Sequence, residues 1–326
     1  MKFLRMTLGF VVAGAALVPS LVQAQASAYP SKPMKIIVAY SPGGALDGLA
    51  RQLGAELTSK LGQAVIVDNR TGGLTIPAVQ ALNSAAPDGH TFAIFDTSTV
   101  AVNQFLFKRP PYDPEKFQPV AMIAKNPLGI VVRPDYPASN LKEFVAQVKA
   151  KPGTAFATPG AGTPVHLTME LFRQEAGLKE MEHVPYKGSA PAIQDLLAGL
   201  LPVAMLDVAS SAQYIKAGKL KLLAVTTDKR LENFPQVPTI AESGYPGFSG
   251  WSWYAAYLPP KTSPALASEL SAHLRNAITS PRVSAWLKEM SLLPAYAPPS
   301  ETRAEVLRES TKFSKVVKDL RLTIDN

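Results

Sequence analysis

Residues 34–50 read MKIIVAYSPGGALDGLA, and this stretch indicates the fold class. Its first part, Met34 to Tyr40, is short, apolar and rich in β-branched residues, which predicts a buried strand. The Ser41-Pro-Gly-Gly44 segment ends that strand, and apolar residues then recur at helical spacing from Leu46 to Leu61. The next apolar run, Ala64 to Val67, predicts a second strand. A strand-helix-strand unit implies a parallel sheet flanked by helices.

Strands and helices alternate along the rest of the chain, so the fold class is α/β. Further strands are predicted at residues 91–95, 120–124, 128–132, 154–157, 182–186, 203–206, 220–225 and 251–258. Further helices are predicted at residues 76–86, 141–150, 165–176, 190–198, 264–279, 282–290 and 300–320. With 29 prolines and 21 glycines, many turns punctuate these elements.

The length of 326 residues is generous for one domain and natural for two lobes. We expect lobe 1 to comprise residues 27–126 plus 247–326, and lobe 2 to comprise residues 127–246. The return to lobe 1 is suggested by the glycine-rich segment 244–250 and by C-terminal helices that have too few strands for a sheet of their own.

The N-terminus has the features of a secretory signal peptide, which we place at residues 1–26. Lys2 and Arg5 precede an apolar stretch from Leu8 to Val18, and small residues at Ala24 and Ala26 suit a cleavage site. The alternative is an N-terminal membrane anchor, which the short apolar stretch disfavours. We therefore expect a mature protein that is soluble in the periplasm.

Composition excludes several kinds of chemistry. There is no cysteine, so disulfides, thiolate catalysis and cysteine-based metal sites are absent.

The formal net charge is +8, but Lys and Arg are scattered and the protein is expected to be exported, so nucleic acid is not an expected partner. A mildly positive field favours capture of anions. The four histidines lack metal-ligand spacing, and no nucleophile elbow, Walker A or dinucleotide motif is present. We expect no metal, no cofactor and no catalysis.

Loops that follow a strand and precede a helix are the candidate ligand-binding segments, because open α/β sheets bind ligands there. They are Ser41–Asp47, Phe95–Thr99, Thr158–Thr163 with His166 in the helix behind it, and Val184–Pro191. Glycines allow close backbone approach, and the free amides of a helix start favour an anion. Each loop also has a structural alternative.

The alternatives assign these same side chains to capping and packing. Asp47 alone could cap its helix, Ser98 or Thr99 could cap the helix after Asp96, and His166 could be a packed residue. Tyr186 and Lys187 could be a packed phenol and a solvated cation.

Short blocks in a specific order resemble the Bug receptors, the extracytoplasmic binding proteins of tripartite tricarboxylate transporters. The blocks are Tyr29-Pro-Ser-Lys-Pro33, Ser41-Pro-Gly-Gly44 with Asp47 and Ala50-Arg51, Leu61-Gly-Gln63, Asp68-Asn-Arg70, Ala86-Pro-Asp-Gly89, His166-Leu with Glu170-Leu-Phe172, and Val184 to Pro191. The resemblance runs from about residue 29 to the C-terminus.

The resemblance implies a two-lobed periplasmic binding protein fold of the type II kind, each lobe a sheet flanked by helices, with a ligand cleft between them. It implies that facing loops hold a small organic carboxylate: a di-, tri- or aromatic carboxylate, or an acidic amino acid. Carried over, the ligand-binding residues are Ser41, Gly43, Gly44, Asp47, Thr97, Ser98, Gly160, Ala161, Gly162, Thr163, His166 and Asp207.

The chain departs from the family pattern in three places: Thr71-Gly-Gly-Leu-Thr75, Asp96, and the prolines Pro159 and Pro164 of the second loop. A carboxylate at position 96 would weaken binding of an anion unless it contacts a polar or cationic part of the ligand.

We therefore expect a monomeric periplasmic receptor that delivers its ligand to inner-membrane transporter subunits. The rival hypotheses are a sensor-input binding protein for signalling and a periplasmic hydrolase.

Overall fold

A computed structural model describes residues 29–323, so the signal peptide predicted at 1–26 lies outside the described residues. The first unit forms as predicted: β1 (Met34–Val38) and β2 (Val65–Asn69) are parallel, and α1 (Ala45–Leu61) connects them. Helix α1 ends at Gly62, whose left-handed backbone (φ 69°) directs its amide to the Thr58 carbonyl.

Seventeen further helices and strands follow along the described chain. Those that precede residue 133 are α2 (Ile76–Asn83), β3 (Thr91–Asp96), α3 (Asn103–Leu106) and β4 (Gln118–Val132). The middle of the chain forms α4 (Leu141–Ala150), β5 (Ala155–Thr158), α5 (Pro164–Ala176), β6 (Glu182–Pro185), α6 (Ser189–Leu197), β7 (Val203–Asp207), α7 (Val208–Lys216) and β8 (Lys221–Val225). The last part forms β9 (Trp251–Leu258), α8 (Pro264–Ile278), α9 (Pro281–Glu289), β10 (Leu293–Ala297) and α10 (Pro299–Asp319).

One path of hydrogen-bonded strands runs through the whole molecule in the order β2-β1-β3-β9-β4-β7-β5-β6, and β8 and β10 also pair with β4. The first half of β4 pairs with β9 and β10, whereas its second half pairs with β7 and β8. Strand β4 is therefore shared by the two halves of the sheet. The proposed lobe boundary at 126/127 falls within it.

The prediction of two separate strands at residues 120–124 and 128–132 is wrong. Asn126 and Pro127, which were expected to break the run, pair with Ser252 and Trp251 of β9. The partner strand supplies hydrogen bonds that local sequence does not reveal, so the chain stays extended across the proline.

Helix α7 and strand β10 were not predicted. Helix α7 begins at Val208, directly after β7, so no glycine or proline turn separates the strand from the helix. Strand β10 contains Pro294 and pairs with β4 through an irregular register, so its sequence has little strand character.

Alternating side chains place a hydrophobic core on each face of the sheet. On β1, Ile36 packs in a cluster with Leu49 of α1, whereas Ile37 packs in another cluster with Val79 of α2. The second half of β4 alternates in the same way, because Ile130 and Val131 lie in two different clusters.

A fifth cluster joins the two halves of the molecule. It contains Leu106 of α3, Leu167 of α5 and Phe313 of α10, all fully or almost fully buried. Helix α5 belongs to the middle of the chain and α10 to its end, so this cluster holds the two halves in contact.

Candidate functional site

The loop between β1 and α1 is held by Asp47. Its Oδ2 accepts hydrogen bonds from the Gly43 amide at 3.0 Å and from Arg51 Nε at 2.9 Å, and its Oδ1 accepts one from Asn69 at 3.0 Å. Burial acts to raise the pKa of Asp47, but these hydrogen bonds hold it below its usual value. Asp47 therefore shapes the loop, with its carboxylate oxygens already occupied.

The same loop leaves backbone groups open. Ser41, Gly43 and Gly44 are exposed, and Gly44, the N-cap residue of α1, provides no side-chain cap. Gly43 has a φ of 88°, which favours glycine. The first amides of α1 therefore have no side-chain acceptor, and that arrangement suits an anion.

The loop between β5 and α5 is braced by its own residues. Thr163 caps α5 by accepting from the His166 amide, and its hydroxyl donates to the Gly160 carbonyl at 2.8 Å. The Gly162 amide donates to His166 Nδ1 at 3.1 Å. Ala161 is exposed at the loop tip, whereas Gly162 and His166 are buried. His166 is therefore a packed residue that sets the loop geometry.

Behind this loop, His166 stacks on His183 with ring centroids 3.8 Å apart. His183 Nε2 lies 2.7 Å from the Thr158 hydroxyl, and His166 Nε2 lies 3.6 Å from Glu170. Burial lowers the pKa of His183 to about 4, and neighbouring His166 adds to this effect. Burial acts to raise the pKa of Glu170, but His166 and Arg173 hold it below its usual value.

A third segment, Lys187–Ser189, lies beside the second loop. The Gly188 amide donates to the Pro159 carbonyl at 2.8 Å, and the Ser189 hydroxyl donates to Asp207 Oδ2 at 3.1 Å. The Tyr186 hydroxyl donates to Asp195, which is the packed arrangement, and Lys187 is exposed.

A polar cluster at the ends of β3, β7 and β9 connects the two halves of the molecule. The Tyr40 hydroxyl donates to Asp96 Oδ2 at 2.7 Å. Asn126 Nδ2 contacts both Asp207 Oδ1 at 2.7 Å and the Tyr254 hydroxyl at 3.1 Å. Asp96 pairs with Tyr254 in the sheet register, so both acidic residues neighbour the same tyrosine.

The charges in this cluster perturb one another. Burial raises the pKa of Asp207 to about 6; the negative charge of Asp96 adds to the rise, and hydrogen bonds from Ser189 and Asn126 oppose it. Desolvation of its hydroxyl and the negative charge of Asp96 also raise the pKa of Tyr40 well above its usual value. The hydroxyl of Tyr40 therefore remains protonated and continues to donate to Asp96.

Thr97 and Ser98 are both buried where β3 ends. Thr97 is completely buried, and its hydroxyl oxygen accepts from the Trp253 amide at 2.9 Å, so it ties β3 to β9. Ser98 is 7% exposed and begins a π-helical turn, Ser98–Val102. Asp96, rather than Ser98 or Thr99, accepts from the Thr99 amide and hydroxyl at that turn.

Sequence reasoning missed Tyr40, Asn126, Ser189 and Tyr254 as members of the polar cluster. Ser189 lay in a segment already singled out, and Tyr40 ends the strand before the first loop. Nothing local marks Asn126 or Tyr254, because each sits inside a strand and gains its partners through the fold.

The arrangement suits binding. Within residues 29–323, no His, Asp and Glu side chains are grouped in threes that could hold a metal ion. The same part of the chain contains no helix long and apolar enough to cross a membrane. What the described loops offer is backbone amides, hydroxyls and two carboxylates.

A family profile described as the tripartite tricarboxylate transporter family receptor matches residues 49–322. The chain belongs to this receptor family. Its members are solute-binding receptors without catalytic activity, so the hydrolase alternative is not supported. The resemblance to Bug receptors inferred from short sequence blocks is thereby confirmed.

Relatives of the receptor agree with this assignment. BugT from Bordetella pertussis strain Tohama I is 35% identical over 297 residues, which is 90% of this chain and 91% of BugT. The periplasmic binding protein BugD has 28% identity and a TM-score of 0.80, covering 91% of this chain and all of BugD.

Two similar solved structures contain a small carboxylate. Rpa4515 of R. palustris with adipate has 30% identity and a TM-score of 0.82, covering 89% of this chain and 97% of Rpa4515. MatC of Rhodopseudomonas palustris with bound malate has 26% identity and a TM-score of 0.77, covering 89% of this receptor and all of MatC. The predicted α/β periplasmic binding protein fold is therefore confirmed.

Proposed function

We propose that this receptor captures a small organic carboxylate in a cleft between residues 27–126 plus 247–326 and residues 127–246. We further propose that it works as a monomer in the periplasm and presents the ligand to inner-membrane transporter subunits. The adipate and malate bound by Rpa4515 and MatC support a carboxylate as the ligand. The similarity to the periplasmic protein BugD supports the location.

The observation that carries this proposal is the uncapped start of α1 behind two exposed glycines. An anion there receives hydrogen bonds from amides that lack other acceptors, and no side chain at Gly43 or Gly44 obstructs its approach. The loop from Gly160 to Thr163 supplies the opposite wall in our proposal. Closure of the two halves would exclude water and strengthen those hydrogen bonds.

A thermal-shift screen tests the proposal. We expect linear dicarboxylates, tricarboxylates, aromatic acids or acidic amino acids to raise the melting temperature, with one class clearly ahead. At about 100 times the dissociation constant, binding stabilises the protein by roughly 2.7 kcal/mol. If no carboxylate in the panel shifts the transition, the proposal is wrong.

A variant with added bulk tests the first loop. Gly44 has negative φ, and a Cβ there would lie 3.7 Å from its nearest neighbour, the Ser41 carbonyl oxygen, so Gly44→Leu should fold. We expect its side chain to obstruct the approach of the anion to the amides of α1. The loss of one charge-assisted hydrogen bond then weakens binding by about tenfold or more. Ala272→Leu on the exposed face of α8 is the control. Unchanged affinity in Gly44→Leu would argue against this loop.

The Gly162 position is less suitable for such a test. Its φ is 72°, and a Cβ there would overlap the side chain of Leu106 at 2.6 Å. A substitution would disturb the contact between the halves as well as the loop.

Signalling remains the second candidate function, because a sensor partner would recognise the same ligand-bound form. Delivery to a membrane transporter and presentation to a sensor differ only in that partner. Uptake of radiolabelled ligand by cells with and without the receptor distinguishes them.

A further inference from the structure

Two carboxylates approach the proposed cleft from different halves of the molecule. Asp96 ends β3 and Asp207 ends β7, and each neighbours Tyr254. The charge of Asp96 acts on Asp207 strongly enough to contribute to its raised pKa. Asn126 Nδ2 contacts both Asp207 and the Tyr254 hydroxyl, and Tyr254 pairs with Asp96 in the sheet, so the two carboxylates belong to one cluster at the junction of the halves.

No cation of the described chain neutralises this pair. Within residues 29–323, no lysine, arginine or histidine forms an ion pair with Asp96 or Asp207. Their partners are neutral donors: the Tyr40 and Thr99 hydroxyls and the Thr99 amide for Asp96, and Asn126 and Ser189 for Asp207. One buried and one half-buried negative charge without a positive partner are costly unless a ligand supplies that positive charge.

The side-chain oxygen of Asn126, in the same cluster, has no hydrogen-bond donor. Asn126 is 1% exposed, and its Nδ2 donates to Asp207 and contacts Tyr254, but its Oδ1 has no hydrogen-bond donor. A buried amide oxygen without a donor costs free energy comparable to a lost hydrogen bond. The cluster therefore has a surplus of acceptors and of negative charge, and its complement is a positively charged donor.

We propose that the ligand carries a protonated amine in addition to its carboxylate, and that Asp96 together with Asp207 and Asn126 selects for that amine. This inference rests on the proposed function, since the amides of the first loop hold the carboxylate end. An ammonium group donates three hydrogen bonds and carries one positive charge, which matches the two carboxylates and the free amide oxygen. A second carboxylate at this position would instead meet two like charges.

Matched series of ligands test the amine directly. The first series is succinate, malate and aspartate; the second is butyrate, 4-hydroxybutyrate and 4-aminobutyrate; the third is benzoate, 4-hydroxybenzoate and 4-(aminomethyl)benzoate. Affinities are measured by isothermal titration calorimetry at pH 7.5, where Asp207 is largely ionised. We expect the amino compound of at least one series to bind about tenfold or more tightly than both of its analogues.

Isosteric variants identify the selecting residues. Asp96→Asn retains an oxygen that can accept from Thr99, and it removes one negative charge. We expect it to reduce the preference for the amino compound about tenfold while leaving the affinity for the unsubstituted acid unchanged or higher. Asp207→Asn keeps the Tyr40 and Thr99 contacts of Asp96 intact and should reduce the preference in the same direction. Glu289→Gln, which removes an exposed charge at the end of α9, is the control and should preserve the preference.

The outcomes separate this inference from the proposed function. Equal or tighter binding of the hydroxy or unsubstituted acids by the unmodified protein overturns the inference and leaves carboxylate capture standing. An unchanged preference in both Asp96→Asn and Asp207→Asn overturns the assigned role of the cluster. If neither these series nor the wider carboxylate panel binds, the proposed function itself fails, and the inference fails with it.

Discussion

At the scale of single residues, polar side chains near the loops differ in whether their hydrogen bonds are already used. Three residues form hydrogen bonds within the loops that contain them, namely Asp47, Thr163 and His166. Their contribution to binding is to hold the loops in shape. Asn126 retains a free acceptor, and the start of α1 has no side-chain cap. Direct contact with a ligand is therefore expected from the latter group, with the former holding the loops in shape.

His183 should make the stability of the protein depend on pH. Its pKa is about 4 in the folded protein and about 6.5 in an unfolded chain. Between these values the unfolded chain binds a proton that the folded protein does not, so stability falls as pH falls from about 6.5 to about 4. Below pH 4 this contribution no longer changes.

The measurement compares urea unfolding of the unmodified protein and His183→Gln at pH 7.5, 5.5 and 4.5. The free energy of unfolding of both proteins should fall between pH 7.5 and 4.5. Because His183 is partly exposed, we expect this fall to be on the order of 1 kcal/mol smaller in the variant than in the unmodified protein. Glu170, Arg173 and His166 are present in both proteins, so the comparison isolates the contribution of the His183 side chain. A difference between the two proteins that does not vary with pH would contradict this assignment.

At the scale of elements, β4 is the strand on which the architecture depends. It carries the hydrogen bonds of β9 and β10 in its first half and of β7 and β8 in its second half. It also brings Asn126 to the junction, since Asn126 lies where pairing passes from β9 to β7. A local defect in β4 should therefore weaken the folded state as a whole.

Gly129 is the position in β4 where this can be tested. A Cβ there would overlap the side chain of Leu222 and lie 3.2 Å from the Ala224 carbonyl oxygen. We expect Gly129→Ala to lower the free energy of unfolding by about 1–3 kcal/mol, as overpacking of a core does. Gly44→Ala, at an uncrowded position with negative φ, should cost less than about 1 kcal/mol. Equal unfolding midpoints for the two variants in urea would refute the prediction.

At the scale of the whole molecule, the two halves are joined by β4, by β9 and by the cluster of Leu106, Leu167 and Phe313. We propose that the halves move relative to one another about the shared strands, with this cluster formed in the closed arrangement. A ligand held by both halves then stabilises the closed form by its differential affinity. Contacts in the cluster should therefore affect ligand affinity without touching the ligand.

Leu106→Ala tests that coupling. Leu106 is 1% exposed, and its side chain packs against Gly162 of the second loop. We expect the variant to bind ligand about tenfold more weakly, because a smaller fraction of the protein is closed. Leu82→Ala removes an equally buried leucine from a cluster within the first half, and it should lower stability while preserving affinity. Calorimetry gives the affinities, and small-angle X-ray scattering gives the radius of gyration. Equal affinities in the two variants would contradict the coupling.

The sequence by itself determined the fold class, the family and the positions of the glycine-bearing loops. These depend on local signals: apolar periodicity, glycine and proline at turns, and short blocks in order. Helix Leu141–Ala150 and strand Trp251–Leu258 were predicted to the residue for this reason.

Only the tertiary structure decided the continuity of β4 and the partners of the polar residues. Asn126 contacts Asp207 and Tyr254, which lie 81 and 128 positions away along the chain. Thr97 becomes buried because a strand 156 residues later donates to it. Such contacts exist only once the chain has folded, since burial and pairing of a side chain are set by distant strands and not by its neighbours in sequence.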